Sequence, residues 1–253
     1  MSKYGYGYKF AQERIRRQII LLPINDAGEI DYDFMESYIK EVEEQKLEEY
    51  RKYALKRVDE IGTVENTETL EEKEWKPFYL KNIFTTVQRG KRLIRDNQIS
   101  GKIPYVSSSA INNGVDNYIS NDIGVRKFDN CLSLANSGSV GSCFFEPFEF
   151  VASDHITHLK NQKRNKFQYL FEATLLNRLS EKYNFNREIN DERISKEVIL
   201  LPIDSSGNPD YDYMEKYIKK LMLSKYSEYL EFKQHKREYP LNTSKVLLVA
   251  DVE

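Results

Sequence analysis

Apolar positions fall into two alternating regimes along the chain. In the first, a short β-branched run stopped by proline, Ile19-Ile20-Leu21-Leu22-Pro23-Ile24, precedes a turn at Asp26-Ala27-Gly28 and then a long polar stretch. Within that stretch Met35, Tyr38, Ile39, Val42, Tyr50, Tyr53 and Ala54 recur largely at steps of three and four. Such a run predicts a buried strand or extended segment, and steps of three and four predict an amphipathic helix with one sticky face. The same regime returns at Val198–Ile203, with a turn at Ser205-Ser206-Gly207 and helical spacing at Met214, Tyr217, Ile218, Leu221, Met222, Tyr226, Tyr229 and Leu230. The two stretches are copies: residues 13–40 align without a gap to residues 192–219 at an offset of 179. Similarity reaches back to Tyr4 and Tyr183, and forward through Lys46, Glu49, Tyr50 and Lys225, Glu228, Tyr229. A repeat at fixed offset marks a supersecondary unit used twice. Asp31 and Asp210 are the expected N-caps. Helices of about 25 residues would be roughly 37 Å long, and two related amphipathic helices predict an antiparallel coiled coil.

Between the copies the pattern changes. Residues 76–180 alternate short apolar runs (Phe78–Phe84, Ile103–Val106, Cys131–Ala135, Phe144–Ala152) with turn signals at Asn112-Asn113-Gly114, Asn121-Asp122 and Ser137-Gly138. That is the signature of a β-rich body of short strands. Phe167, Leu170, Phe171, Leu175 and Leu179 then return to helical spacing. The fold class is α+β, a β-rich body flanked by two long related helices. The expected segments are a first long helix at 29–58, a linker or frayed helix end at 59–75, the body at 76–208, a second helix at 209–239 and a tail at 240–253.

Composition narrows this further. A chain of 253 residues with 40% hydrophobic and 13% aromatic residues can build one large core or two modest ones. No stretch approaches the roughly 18–20 apolar residues of a membrane span, and MSKYGYGYKF has no apolar run of a secretory signal. Two cysteines without an export signal make a disulfide framework unexpected. The expectation is a cytoplasmic protein. The net charge of −2 hides a segregation, since residues 59–75 alone sum to −6 and the remainder to +4. Bases cluster at Lys9, Arg14, Arg16 and Arg17, at Arg89, Lys91, Arg92, Arg95 and Lys102, and at Lys160, Lys163, Arg164 and Lys166. Such clusters are either solvated surface or a positive face for a polyanion.

Catalytic motifs are missing from the sequence. Asn208-Pro209-Asp210-Tyr211 resembles an amino-methyltransferase loop, but its repeat partner Glu29-Ile30-Asp31-Tyr32 lacks the key residues, so it reads as a turn and helix cap. Gly5 and Gly7 have no strand ahead of them to form a cofactor loop, and Glu74-Trp75-Lys76 is only a fragment of a nuclease carboxylate–lysine set. His155 and His158 are three apart with neither cysteine at ligand spacing, short of the three or four ligands of a zinc site. Gly138-Ser139-Val140-Gly141 is not a nucleophile elbow, and no P-loop is present. Neither a cofactor nor a metal is expected.

The polar loops offer binding chemistry instead. Arg89, Lys91 and Arg92 around Gly90 suit phosphates and guanine edges, and Ser107, Ser108, Ser109, Asn112 and Asn113 supply small donors and acceptors, Asn being able to pair with adenine. Asn136, Ser137 and Ser139 flank a glycine that lets backbone amides approach closely, and Arg187 lies in Asn186–Asn190 at the end of the body. Each is also an ordinary turn residue.

Linked together, WKPFYLKNIFTTVQRGKR, IPYVSSSAINNGVDNYI, LANSGSVGSCFFEPFEFVASDHITHL and LSEKYNFNREINDERI, followed by ILLPI and a long helix, resemble one target-recognition unit. The resemblance is to specificity subunits of type I restriction–modification systems, especially those of Bcg-like type IIB systems, and it covers nearly the whole chain. It implies a non-catalytic subunit that binds double-stranded DNA, each recognition domain reading half of a split sequence while antiparallel helices space the halves and dock methyltransferase subunits. A restriction subunit is a further implied partner. Under this resemblance residues 1–28 are the tail of a first recognition domain whose body is missing. The chain is then expected to be a shortened or rearranged product, or a piece of a larger subunit, reading one half-site unless two copies pair. The competing expectation is an assembly factor that binds only proteins through its helices and body.

Overall fold

A computed structural model describes the backbone of residues 11–238 and the side chains of residues 11–231. Gly5, Gly7, Lys9 and the tail at 240–253 lie outside the described residues. The chain divides into two compact units, Met1–Glu60 and Ile61–Glu253.

In the first unit, a one-turn helix α1 (Gln12–Arg16) leads through an extended run and a turn into α2 (Tyr32–Ile61). The turn is built locally. Asn25 Oδ1 accepts the amides of Ala27 (3.1 Å) and Glu29 (3.0 Å), Gly28 takes φ 81°, and Asp31 caps α2 by accepting the Phe34 amide at 2.8 Å. Left-handed backbone favours glycine, which has no Cβ to clash. The long polar face of α2 carries i,i+3 and i,i+4 ion pairs such as Lys46–Glu49 (2.9 Å) and Lys40–Glu36, the arrangement that supports a solvated helix. One expectation fails here. Among the described residues, Ile19–Ile24 is neither buried nor paired into a sheet, and only Ile24 forms an isolated bridge, to Ile30.

In the second unit, residues 62–74 lead into β1 (Trp75–Tyr79) and a one-turn helix α3 (Leu80–Ile83). The strands that follow are β2 (Thr86–Arg89), β3 (Ser100–Val106), β4 (Val115–Ile119), β5 (Lys127–Phe128), β6 (Cys131–Ala135), β7 (Cys143–Glu146), β8 (Phe150–Ala152) and β9 (Ile156–Lys160). Helices α4 (Lys166–Asn177) and α5 (Asp191–Ser195), strand β10 (Val198–Pro202) and helix α6 (Tyr211–Glu238) complete it. One sheet has the order β2-β9-β6-β7 and is antiparallel throughout; a second, β4-β3-β8-β5, contains one parallel pair, β3 with β8; and β1 pairs antiparallel with β10.

Every residue of β6 is buried, because both faces of its sheet are covered. Cys131 and Ala135 pack with Val106, Phe150, Ala152 and Ile156, which joins the two sheets. On the opposite face, α4 lies against β6 and β7, with the Phe145 and Tyr169 rings stacked at 5.4 Å and Leu132, Leu134 and Leu176 fully enclosed. Asn165 caps α4 by accepting the Phe167 and Gln168 amides, while the Gln168 side chain accepts the Asn165 amide at 3.1 Å. This is the reciprocal capping box.

Two apolar runs divide where one strand each was expected. Phe78–Phe84 is strand only to Tyr79 and then turns through α3, which directs Leu80 and Ile83 inward. Phe144–Ala152 breaks around Pro147, and the chain passes from the first sheet in β7 to the second in β8. A central strand cannot run through a proline without losing a ladder donor. Of the acidic segment 59–75, residues 59–61 close α2, and 62–74 form no helix. The 62–74 stretch lies along α6, with Glu65 on Lys216 at 2.9 Å, Lys220 donating to Asn66 Oδ1 at 2.9 Å and the Tyr213 hydroxyl donating to Glu68 O at 3.2 Å. Lys73 bridges Glu68 (3.1 Å) and Asp210 (2.8 Å). The segment is thus tied to the second helix, with Glu65 matched to one of its bases.

Candidate nucleic-acid interface

The predicted site residues occupy four loops of the second unit, drawn together by backbone contacts. The first follows β2. A Cβ on Gly90 would lie 2.1 Å from Ser153 O, so only glycine fits, and its amide donates to Ile156 O at 2.9 Å. This wedge leaves Lys91 and Arg92 exposed beside it. Arg89 is half-tied inward: Nη2 donates to Ile189 O at 3.4 Å and Nε lies 3.3 Å from Asp191 Oδ1.

The second loop joins β3 to β4. The Ser107 amide donates to Gly114 O at 2.9 Å, and Ser109 Oγ accepts the Ile111 amide at 3.3 Å. Asn112 and Asn113 both take φ 51° and are exposed at the tip. Asn tolerates this left-handed conformation better than most residues. Beside them Val115, Tyr118 and Phe148 complete a shallow groove of about 380 Å³. Tyr118 and Phe148 are exposed aromatic rings that the loop pattern did not single out. Val115-Asp116-Asn117-Tyr118-Ile119 does not alternate apolar and polar residues, so no local pattern marks Tyr118.

The third loop, after β6, overturns part of the expectation. Asn136 and Ser137 are buried, not presented to a ligand. Asn136 Nδ2 donates to Thr157 Oγ1 at 3.2 Å and to Asp154 O at 3.4 Å, its amide donates to His155 O at 3.0 Å, and its carbonyl accepts the Ile189 amide at 2.9 Å. A buried amide must use its donors and acceptors internally, and Asn136 does so by fastening three loops. Ser137 hydrogen-bonds His155 Nδ1. Gly138 packs on Ser108, where a Cβ would meet Ser108 Oγ at 2.4 Å, and the Ser139 amide donates to Ser108 O at 3.2 Å. Ser108 and Ser139 thus lie side by side.

In the fourth loop the exposed Arg187 guanidinium sits 5.4 Å from the Tyr183 ring centroid. Residues 89–92, 136–139, 153–157 and 187–191 therefore meet at one end of the body, and 107–114 abuts them through Ser108. Two further groups belong to the cluster. Exposed Arg126 donates to Arg89 O at 2.6 Å, and exposed His155 caps Ser137.

Other sequence features resolve into structure. His158 is buried, stacked on Phe128 at 3.8 Å with Nδ1 3.0 Å from Gln88 O, and burial holds its pKa below the usual imidazole value. It does not share a site with His155, which points to Ser137. Among the described residues no three His, Cys, Asp or Glu groups gather as a metal site. Cys131 and Cys143 are separate buried thiols, Cys131 pushed up to about 12 by burial. Trp75 donates to Leu70 O at 3.0 Å and Glu74 O accepts the Ile203 amide at 2.9 Å, so Glu74-Trp75-Lys76 begins a strand. Asp210 accepts the Tyr213 amide at 2.9 Å, which makes Asn208–Tyr211 the turn and cap of α6.

The converging basic and amide loops thus sit on a β-rich body that is followed by a long helix. Residues 72–231 match the family model described as Type I restriction modification DNA specificity domain, and the chain belongs to that family. It is similar to S.BcgI, the specificity subunit of a type II restriction enzyme of Heyndrickxia coagulans, at 29% identity over 221 residues, covering 86% of this chain and 62% of the relative. The chain thus spans less than two thirds of that relative's length. Among solved structures it is similar to the S subunit of a type I restriction–modification system from M. genitalium (14% identity, TM-score 0.47, 80% of this chain and 53% of the other). The HsdS subunit from Thermoanaerobacter tengcongensis aligns with 11% identity, TM-score 0.42, 84% of this chain and 52% of the other. Both structural likenesses are partial; membership rests on the sequence match.

Proposed function

We propose that this chain is a double-stranded DNA recognition subunit of a restriction–modification system, reading one half-site through the loops of its β-rich body. In this reading the long helices pair to set spacing and dock a methyltransferase subunit, with which a restriction subunit can assemble. Catalysis, and the methyl donor it needs, belong to that partner, and the complex works in the cytoplasm. Two copies of the chain would read two half-sites. No helix among the described residues is long and apolar enough to cross a membrane.

The observation that carries the proposal is the family match over residues 72–231, the stretch that also holds the converging loops. Exposed Lys91, Arg92, Arg126 and Arg187 offer phosphate contacts, and exposed Asn112 and Asn113 offer base-edge hydrogen bonds. Arg89, Asn136 and Ser137 support the reading as residues that hold the loops, with Ser107, Ser108, Ser109 and Ser139 at the seam between them.

The test is retention of a randomised duplex library by the full chain, with and without its methyltransferase subunit, followed by sequencing. Enrichment of a short motif is expected; no enrichment with the partner present overturns the proposal. The Lys91→Ala/Arg92→Ala variant should bind DNA about tenfold or more weakly, and the slope of log affinity against log salt should shrink by roughly 0.9 for each phosphate no longer neutralised. Unchanged affinity and slope would remove this loop from the interface.

A further inference from the structure

The turn Asn184–Arg187, in the fourth loop, closes on itself. Asn184 N donates to Arg187 O at 3.2 Å and Arg187 N donates to Asn184 O at 2.9 Å, which leaves Phe185 and Asn186 as its tip. Asn184 Oδ1 also accepts the Asn186 amide at 3.0 Å. The preceding residue, Tyr183, is buried and fixed at both ends. Its amide donates to Leu179 O at 2.8 Å, and its hydroxyl donates to Glu197 Oε2 at 2.6 Å. Lys182 Nζ holds the same carboxylate at 2.8 and 2.9 Å. The Arg187 guanidinium lies 5.4 Å from the Tyr183 ring centroid and, among the described residues, has no hydrogen-bond or ion-pair partner. Two residues on, Ile189 N donates to Asn136 O at 2.9 Å and Ile189 O accepts Arg89 Nη2 at 3.4 Å, so the turn is fastened to the other loops. It leaves three side chains in solvent: Phe185, 78% exposed, Asn186 and Arg187.

We infer that this turn enters the major groove of the half-site, with Arg187 pairing to a guanine and Phe185 packing on a thymine methyl. The inference rests on the DNA reading above and narrows it to one element and two bases. The local chemistry favours bases over phosphates. From Glu181 to Glu188, the bases Lys182 and Arg187 are matched by those two acids, and Lys182 is already held by Glu197. A segment without surplus positive charge is a poor general attractor of phosphate. A guanidinium backed by an aromatic ring loses less freedom on pairing, and its planar fork fits the O6 and N7 acceptors of guanine. A phosphate would also satisfy the fork, but it would leave Phe185 in water. A lone exposed ring is common on protein surfaces. One fixed two residues from an unpaired guanidinium finds an apolar target in the major groove, where thymine presents its C5 methyl. That groove is about 12 Å wide and admits a two-stranded ribbon, whereas the minor groove shows neither the methyl nor the N7–O6 edge.

The test uses the full chain with its methyltransferase subunit and the duplex enriched from the randomised library. Guanines are replaced one at a time by 7-deazaguanine, which lacks N7, and thymines by uracil, which lacks the methyl. One guanine replacement should weaken the parent about tenfold and leave Arg187→Ala unaffected. One thymine replacement should weaken the parent roughly threefold and leave Phe185→Ala unaffected. Both side chains are exposed, so these variants keep the fold, and unchanged thermal unfolding would verify that. Arg187→Lys keeps the charge but loses the fork, and it should behave as Arg187→Ala does towards 7-deazaguanine. Parent-like discrimination by Arg187→Lys would overturn the inference, since a point charge on a phosphate would then suffice. So would guanine sensitivity that survives intact in Arg187→Ala. A loss of affinity in Phe185→Ala with every uracil replacement harmless to the parent would also overturn it, and would mean that the ring wedges between base pairs. An enriched motif without guanine or thymine overturns this inference alone, whereas no enrichment at all removes the DNA reading beneath it.

Discussion

The first copy of the repeat and the second differ in fate far more than in sequence. Both carry an ILLPI-type run, an Asx- or Asp-anchored turn with glycine near φ 80°, and an aspartate cap opening a long helix. In the second copy the run is β10, locked to β1; in the first, among the described residues, it joins no sheet and its apolar side chains are exposed. The turn and cap are satisfied within about ten residues of chain, so they form regardless of context. A strand needs a partner for its hydrogen bonds and a surface for its side chains, neither of which a local segment can provide.

The largest test of this comparison is paired substitution. Leu201→Asp places a charge at a fully buried site and should destabilise the second unit by about 4 kcal/mol or more, whereas Leu22→Asp should change stability by about 0.5 kcal/mol or less. Urea denaturation of both variants reads the difference, and equal losses would mean that the first run is packed as well.

A second test uses the β-rich body into which the second copy's β10 is built. Glu146 is enclosed between the sheets, with the Ser133 hydroxyl donating to it at 2.8 Å and its other oxygen without a partner, and burial raises its pKa to about 7. The folded state therefore holds a proton there that the unfolded chain, with a value near 4.5, releases. The body should lose stability as pH rises from about 5 to 8. Glu146→Gln should flatten that loss, gaining on the order of 1–3 kcal/mol at pH 8. Protection factors across β6 and β9 should fall with rising pH more steeply in the parent than in the variant, while those in the first unit show no such fall. Glu172 pushes in the same direction through its burial, against the ion pair with Arg164 at 3.3 Å.

The smallest contrast lies in the caps. Asp31→Ala should cost about 1 kcal/mol, the usual value of an N-cap. Asp210→Ala should cost about 2 kcal/mol, because it also removes the 2.8 Å partner of Lys73, whose side chain is mostly buried. Equal costs, read by thermal unfolding, would mean that the strap along α6 adds nothing to the second cap.

The candidate site was legible in part, for reasons visible in single residues. Gly138 was expected to let backbone amides approach a ligand, whereas both it and Gly90 are wedged against neighbouring loops at distances no Cβ could occupy. Asn112 and Asn113 announced a turn and form one. Asn136 has the same side chain and the same sort of neighbours in sequence, yet it is interior, because the loops ending at His155 and Ile189 close over it. Arg126 carried no local signal; its place beside Arg89 depends on β5 pairing with β8 next to the β2 loop.

By itself the sequence determined the repeat, the long helices with their caps and turns, the α+β class and the positions of the polar loops. These rest on interactions among residues near in the chain, or on spacing along it. The tertiary structure decided which ILLPI run is a strand, that the acidic segment is strapped to α6, where the run around Pro147 changes sheets, and which loop side chains face solvent. Each of those depends on a partner tens of residues or more away in sequence, and a chain does not encode a pairing or a burial until both partners are in place.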